Sequence, residues 1–314
     1  MTVNGRTCVV LMTYGSPATL DDVPGYLRRV RGGREPDEAL VSEFRRRYRL
    51  IGGSPLLRIT SEQAERLQLE LDGLKDGCSY NVVSGMRFSP PLIADVLRQA
   101  APEVGCVIGI IMSPQFSPII MGGYVRTLQE AVSGLHRDGL ALKMAEDWHL
   151  QPFFLEAVAQ RVREALARFP GDVGEEVPVL FTAHSMPKRV IEKEPDYVRQ
   201  LKETAAAVAE LVGLQEGRWL FCYQSAGHTP EGWLKPDFAD VMPELRNAGY
   251  NHVLIAPVQF LADHLEILYD IEIGARQQAE LAGLKFARIE SLNTSPLLIK
   301  ALTAVVQQAL ARAP

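Results

Sequence analysis

Short runs of apolar, β-branched residues recur along the chain and alternate with segments whose apolar residues follow helical spacing. Most of these runs are continuously apolar, which is typical of strands that are covered on both faces. They predict eight strands, at residues 7–13, 79–84, 106–112, 140–144, 178–183, 219–223, 252–256 and 285–289. Strands that alternate with helices in this way predict an α/β fold with parallel sheets.

Three helices carry recognisable start signals. Thr60 and Gln63 have the spacing of a capping box, which predicts a helix that begins after Thr60. Pro152 suits the first turn of a helix, and Ser295 followed by Pro296 forms a cap and first-turn pair for the last helix.

The order of elements is repeated in the two halves of the chain. The apolar run 10–13 is followed by Tyr-Gly-Ser-Pro, and the run 179–182 is followed by Ala-His-Ser-Met-Pro. This predicts two similar four-stranded α/β lobes, 1–148 and 149–294, with the last helix, 295–314, packing back on the first lobe. Ligands of parallel sheets bind beyond the carboxyl ends of the strands, so we expect the active cleft between the lobes.

Charge and composition exclude some classes of partner. The 314 residues carry a formal net charge of −5, which gives no general attraction to nucleic acid. No apolar run approaches the ~20 residues that span a bilayer, so we expect no stable membrane anchor. The four cysteines, Cys8, Cys78, Cys106 and Cys222, lie far apart without a C-x-x-C pair. This spacing argues against an iron–sulfur cluster and predicts free thiols in a cytoplasmic protein.

Two segments after predicted strands could carry acid–base or metal chemistry. His184 ends a strand, where an imidazole can act as a base or a metal ligand, although a histidine bonded to a backbone carbonyl is the plainer alternative. Glu266 lies between Asp263 and Asp270, and helical spacing would place these three carboxylates on one face. Such a row could conduct a divalent cation, but a solvated acidic face is equally compatible.

Two features of the first half suit an anionic ligand. Residues 28–49 contain eight arginines and no lysine, and arginine favours bidentate contacts with carboxylates, although acidic neighbours could also pair with it. Tyr14 follows the first strand, where a phenolate could ligate iron or a tyrosine could simply pack at the edge.

Several motifs, in this order and spacing, resemble the ferrochelatase family over nearly the whole chain. They are LMTYGSP at 11–17, RYRLIGGSPL at 47–56, SPQFS at 113–117, TAHSMP at 182–187, YQS at 223–225, WLKP at 233–236, PVQF at 257–260 and DHLEILYD at 263–270. The resemblance implies two Rossmann-like lobes that clamp a porphyrin and insert ferrous iron, without another cofactor.

The resemblance also implies roles for individual residues. His184 would take the pyrrole protons, Glu266 would assist it, both would contact the metal, and Asp270 would lie on the metal path. Tyr14 is the residue typical of enzymes that use coproporphyrin, in which it ligates the iron of the product. The residues that would contact the ring or its carboxylates, besides Tyr14, are Arg31, Arg47, Tyr48, Ser54 and Tyr124.

Three alternatives remain at this stage. The substrate could be protoporphyrin IX, or the chain could be a cobalt or sirohydrochlorin chelatase, although those relatives tend to use paired histidines. A haem or porphyrin carrier would need Tyr14 but neither His184 nor Glu266.

We expect a monomer that meets a haem-accepting enzyme transiently. Gly274 stands where relatives often carry another acid, which weakens the case for a second metal site.

Overall fold

The fold contains all eight predicted strands, and their ends agree with the prediction to within two residues. The computed structural model describes residues 6–100, 104–171, 173–226 and 232–312. The strands are β1 Arg6–Thr13, β2 Tyr80–Met86, β3 Val104–Ile111, β4 Ala141–Met144, β5 Val179–His184, β6 Trp219–Gln224, β7 His252–Pro257 and β8 Lys285–Arg288.

Helices connect the strands and flank the sheets. The α-helices are α1 Val23–Val30, α2 Glu38–Leu50, α3 Leu56–Gly73, α4 Ile93–Ala100, α5 Pro118–Ser133, α6 Pro152–Leu166, α7 Val173–Glu176, α8 Lys188–Ile191, α9 Pro195–Val212, α10 Phe238–Asn247, α11 Arg276–Leu281 and α12 Pro296–Ala311. A 3₁₀ turn at Leu20–Asp22 precedes α1, and a π-helix at Glu266–Ala275 runs directly into α11.

The strands form two parallel four-stranded sheets, with the orders β2-β1-β3-β4 and β6-β5-β7-β8. The same order in both sheets confirms the prediction of two similar α/β lobes. In the first sheet, β2 lies on one side of β1 and β3 on the other, so the strand order reverses between β1 and β3. In the second sheet it reverses in the same way between β5 and β7. Each of these places is a topological switch point. Ligands of open α/β sheets bind at the carboxyl ends of such strands.

The chain divides into two compact units, Met1–Trp148 with Asn293–Pro314, and His149–Leu292. Asn293 and Thr294, which the sequence assigned to the second lobe, therefore belong with the first unit. The α12 helix packs against α3 in that unit, and Lys143 of β4 donates a hydrogen bond to the Leu310 carbonyl. Each unit has its own apolar core, formed by central strand residues such as Val10 and Val253 and the helices beside them.

Two of the three helix starts are confirmed and one is wrong. Gln151 caps α6 with Pro152 in its first turn, and the Ser295 side chain caps α12 ahead of Pro296. Thr60 does not begin a helix, because α3 already begins at Leu56 and the Thr60 hydroxyl donates to the Leu56 carbonyl.

All four cysteines are free, and three of them are buried, so we predict that thiol reagents distinguish them. Burial raises the pKa of Cys8 to about 12 and also raises the pKa values of Cys106 and Cys222, which keeps these thiols protonated at pH 8. Cys78 is exposed. Iodoacetamide should therefore label the native protein once, at Cys78, and four times in denaturant, as read by mass spectrometry. Rapid native labelling of a second thiol would contradict this packing.

Candidate functional site

His184, the last residue of β5, has one ring nitrogen fixed by the backbone and the other turned toward a carboxylate. Its Nδ1 lies 2.5 Å from the Ser185 carbonyl oxygen. A carbonyl can only accept a hydrogen bond, so Nδ1 carries the hydrogen of the neutral ring and Nε2 carries the lone pair. Nε2 is the atom that faces Glu266, at 3.7 Å from Oε2. The tautomer therefore presents Nε2 as a base or a metal ligand.

Two glutamines hold the carboxyl ends of the strands around His184. The His184 backbone N–H donates to Gln259 Oε1 at 2.9 Å, across the switch point between β5 and β7. Gln259 Nε2 in turn donates to the Tyr197 hydroxyl at 2.6 Å. On the other side of β5, the Thr182 hydroxyl donates to Gln224 Oε1 at 2.7 Å. These bonds give His184 a fixed backbone. Gln224 and Gln259 belong to motifs quoted from the sequence, whereas Tyr197 was not singled out.

Glu266 begins the π-helix, in which hydrogen bonds of the i→i+5 type widen the turn. Its Oε2 is buried and, among the described residues, accepts no hydrogen bond. A buried carboxylate oxygen without a donor is costly unless a cation or a proton is available to it. Beside the Nε2 lone pair of His184, this oxygen can stabilise an imidazolium, accept a proton from it, or contribute to binding a divalent cation.

The predicted row of three carboxylates is wrong in its first member. Asp263 lies before the π-helix, accepts a hydrogen bond from Ser291 at 2.7 Å and pairs with Arg288 at 3.4 Å. Asp270 accepts a hydrogen bond from the Ser225 hydroxyl at 2.7 Å. Among the residues that the structure describes, no group of three or more His, Cys, Asp or Glu side chains is placed to hold a metal ion. The predicted part of Asp270 in the metal path stays a prediction.

Tyr14 follows β1 in the first unit and lies in an aromatic cluster. Its ring is 43 % exposed, with the Phe88 ring centroid at 4.6 Å and the Tyr26 centroid at 6.4 Å. The Tyr14 carbonyl accepts the Phe88 backbone N–H. Tyr124 is buried nearby, and burial, together with the interaction with Tyr14, raises its pKa. Tyr14 therefore presents an exposed ring at the carboxyl end of a central strand.

Arg87 is a member of this cluster that the sequence did not reveal. Its guanidinium lies over the Phe88 ring, at 4.6 Å from the centroid, and over the Tyr124 ring, at 5.3 Å. It passes directly above Gly123 of α5, where any Cβ atom would overlap the guanidinium. Gly123 therefore leaves the space in which Arg87 stacks on the two rings.

We predict that Gly123→Ala and Gly122→Ala have opposite effects on stability. Both residues are inside α5, where alanine favours the helix by about 1 kcal/mol over glycine. At Gly122 the added methyl group would lie 3.3 Å from the end of the flexible Arg126 side chain. At Gly123 it would overlap the Arg87 guanidinium and push it off both rings, and each lost cation–π contact costs about 0.5–1 kcal/mol at the surface and about 2 kcal/mol when shielded from water. In urea, the free energy of unfolding should be higher for Gly122→Ala than for the unchanged protein and lower for Gly123→Ala. An equal increase in both variants would contradict the placement of Arg87 above Gly123.

The other predicted ring contacts lie on α1, α2 and the loop that follows α2. Arg31 is exposed just after α1, Ser54 is half-buried after α2, and Tyr48 is only 3 % exposed. Arg47 pairs with Glu43 at 2.8 Å, and hydrogen bonds from Arg46 and Arg47 lower the pKa of Glu43 to about 2. Glu43 therefore stays charged through neutral pH and partly neutralises this arginine-rich helix.

Sequence comparison connects this arrangement to a family. The family model described as ferrochelatase matches residues 6–310. The chain belongs to the ferrochelatase family. It is 40 % identical to a ferrochelatase of Herpetosiphon aurantiacus over 306 residues, which cover 97 % of this chain and 99 % of the relative. It is 35 % identical to a coproporphyrin III ferrochelatase of Geobacillus kaustophilus, over 95 % of this chain and 94 % of that one.

Solved structures with little sequence similarity share the fold. The chelatase SirB from Bacillus subtilis, solved with Fe³⁺, superposes with a TM-score of 0.61 at 11 % identity, and the match covers 98 % of this chain and 96 % of that one. At this identity the likeness shows the two-lobed fold alone. Family membership identifies the chain as a metal chelatase that inserts Fe²⁺ into a porphyrin. None of the helices in the described part of the chain is long and apolar enough to cross a membrane.

Proposed function

We propose that this ferrochelatase inserts Fe²⁺ into coproporphyrin III, with His184 as the base that removes the pyrrole protons and Glu266 as its partner. The observation that carries the proposal is the contact between His184 Nδ1 and the Ser185 carbonyl oxygen, because it requires the hydrogen on Nδ1. Nδ1–H is committed to the Ser185 carbonyl, so the Nε2 lone pair faces the buried, unpartnered Glu266 oxygen. A carrier of haem would have no use for a base and a carboxylate aligned in this way.

The chemistry requires that two protons leave the ring as the metal enters. Each of the two pyrrole N–H groups gives up its proton, and the four nitrogens bind the Fe²⁺ ion, so the charge is balanced by two released protons. In our proposal His184 Nε2 accepts the first proton. The resulting imidazolium is stabilised by the Glu266 carboxylate, 3.7 Å away, which can accept that proton and leave Nε2 ready for the second.

The choice of coproporphyrin rests on groups of the first unit. Coproporphyrin III carries four propionates and protoporphyrin IX carries two, and the arginines of residues 28–49 suit the more anionic ring. Tyr14 is exposed at the end of β1, where its phenol is proposed to ligate the iron of the product. Relatives from Geobacillus kaustophilus and Bacillus subtilis bear the name coproporphyrin III ferrochelatase, whereas the Herpetosiphon relative is named ferrochelatase.

The substrate proposal is tested by competition between the two porphyrins in one anaerobic reaction with limiting Fe²⁺. Coproporphyrin has two more propionates than protoporphyrin, and each can form an exposed ion pair that contributes up to about 1 kcal/mol. We therefore expect coproporphyrin to be preferred by roughly 10- to 30-fold. Tyr14→Phe should keep insertion but abolish the phenolate-to-iron absorption band of the oxidised product. A preference for protoporphyrin, or an unchanged spectrum in Tyr14→Phe, would contradict the proposal.

We also propose a cellular compartment, an oligomeric state and partners for this enzyme. The free cysteines suit a reducing compartment, and we place the protein in the cytoplasm as a monomer. It needs no cofactor beyond the Fe²⁺ substrate, and it transfers its product to a haem-accepting enzyme. Neither nucleic acid nor an iron–sulfur cluster has a part in the proposal.

A further inference from the structure

Arg288, the last residue of β8, binds two acidic residues that lie on either side of Glu266 in the chain. Its Nε donates to Glu272 Oε2 at 2.7 Å, and its Nη2 contacts Asp263 Oδ1 at 3.4 Å. Its Nη1 donates to the Ile289 carbonyl at 2.9 Å. The Arg288 side chain is only 14 % exposed and each of its three nitrogens has a partner, so it ties the π-helix segment to the edge of the sheet.

Glu266 depends on such support because its own side chain is not held by hydrogen bonds. Among the described residues its Oε2 atom has no hydrogen-bond partner, and its contact with His184, at 3.7 Å, is longer than a hydrogen bond. The separation from His184 is therefore fixed by the backbone that carries Glu266. Asp263 holds that backbone three residues before Glu266, and Glu272 holds it six residues after it.

The ends of this connection are themselves anchored. Asp263 Oδ1 also accepts the Ser291 hydroxyl at 2.7 Å, and Ser291 follows β8. Glu272 uses its second oxygen, Oε1, to bind Arg276. Arg276 is 43 % exposed and lies over the Phe286 ring, and it contacts only one of the two acidic residues that Arg288 joins. Arg276 therefore shares the Glu272 carboxylate with Arg288 but does not connect the segments before and after Glu266, which makes it a matched control for Arg288.

We propose that Arg288 is a positioning residue for Glu266: through Asp263 and Glu272 it fixes the π-helix segment so that Glu266 lies beside the Nε2 atom of His184. This inference rests on the proposed function, because it assigns Arg288 to the same proton-transfer pair. Arg288 does not touch the substrate in this account. It acts on kcat through the placement of a carboxylate that has no hydrogen bond of its own.

The first test compares three variants in the full-length protein, with Fe²⁺ and coproporphyrin III as substrates. Displacement of a catalytic group by about 1 Å can cost up to about 100-fold in rate, so Arg288→Gln should lower kcat by at least about tenfold, but by no more than Glu266→Gln does, and leave KM for both substrates within about threefold. Arg288→Lys, which keeps the charge but can satisfy only one carboxylate well, should recover part of the loss. Arg276→Gln should retain the unchanged rate.

The second test asks whether Arg288 acts through Glu266. In a Glu266→Gln background, adding Arg288→Gln or Arg288→Lys should lower kcat by less than about twofold, because the group being positioned is already gone. If each Arg288 substitution instead multiplies the Glu266→Gln defect by its full single-variant factor, Arg288 acts independently and the inference is overturned. If Arg288→Gln does not fold, the same double-mutant cycle is measured with Arg288→Lys.

A measurement on the resting protein separates this inference from the proposed function. The ¹⁵N NMR signal of His184 Nε2, assigned by its absence in His184→Ala, should shift in Glu266→Gln, and Arg288→Lys should move it in the same direction. Arg276→Gln should leave it in place. If the unchanged protein did not insert iron, the proposed function alone would be refuted. If Arg288→Lys left the Nε2 signal in place, the positioning role alone would be refuted.

Discussion

Replacing His184 by alanine should lower kcat for iron insertion by about 10³-fold, within the range that a general base contributes. The reason is the fixed tautomer. With Nδ1–H bound to the Ser185 carbonyl, Nε2 is the basic atom that faces Glu266, and within the described part of the chain His184 is the histidine paired with that carboxylate. Porphyrin affinity, measured by fluorescence quenching without iron, should change by less than about threefold, because the base acts on the ring during metal entry.

His136→Ala is the matched control for this variant. His136 is exposed in the loop after α5 of the first unit and has no part in the proposed chemistry. It should insert iron at the unchanged rate. If His184→Ala kept more than about a tenth of the unchanged rate, proton removal by this histidine would have to be abandoned, because general-base contributions are larger than that.

Glu266→Gln should lower kcat by about 100-fold while the protein stays folded and binds porphyrin. An imidazolium and a carboxylate 3.7 Å apart attract each other by about 4 kcal/mol at an effective dielectric constant of 20. Both side chains are about one-third exposed, so solvent screening reduces this attraction and leaves an effect near 100-fold on the step that forms the imidazolium. Glutamine preserves the shape and removes the charge. The measurement is kcat at saturating porphyrin and iron.

Two further variants sharpen this prediction. Glu266→Asp keeps the charge and withdraws it by one methylene, so its kcat should lie between those of Glu266→Gln and the unchanged protein. Glu280→Gln removes an exposed carboxylate from α11 and should have no effect on kcat. A Glu266→Gln rate equal to that of Glu280→Gln would show that the buried carboxylate has no part in the reaction.

The strands were predictable because parallel strands buried on both faces leave uninterrupted apolar runs in the sequence. The start of α3 was not, because the same Thr60–Gln63 spacing serves a different purpose in the folded chain. Thr60 bonds back to Leu56 inside the helix, and the Gln63 amide donates to the Asn293 carbonyl ahead of α12. Tertiary contacts with a segment from the other end of the chain cannot be read from a local capping pattern.

The candidate site was predictable only in part. His184 and Glu266 were identified from their motifs, and the structure brings their side chains to 3.7 Å. Asp263 does not join the predicted acidic row, because it precedes the π-helix and is bound by Arg288 at the end of β8 and by Ser291 after it. The position of Arg87 depends on the space above Gly123, which is a property of packing between distant segments.

The central claim, that this chain is a chelatase rather than a porphyrin carrier, is tested most directly by a single-turnover experiment. The protein is loaded with one equivalent of coproporphyrin III and mixed anaerobically with Fe²⁺ in a stopped-flow spectrometer. We expect complete conversion of the free-base spectrum to that of the iron porphyrin, far faster than for coproporphyrin and iron without protein. Tight porphyrin binding with no acceleration of metal insertion would contradict it.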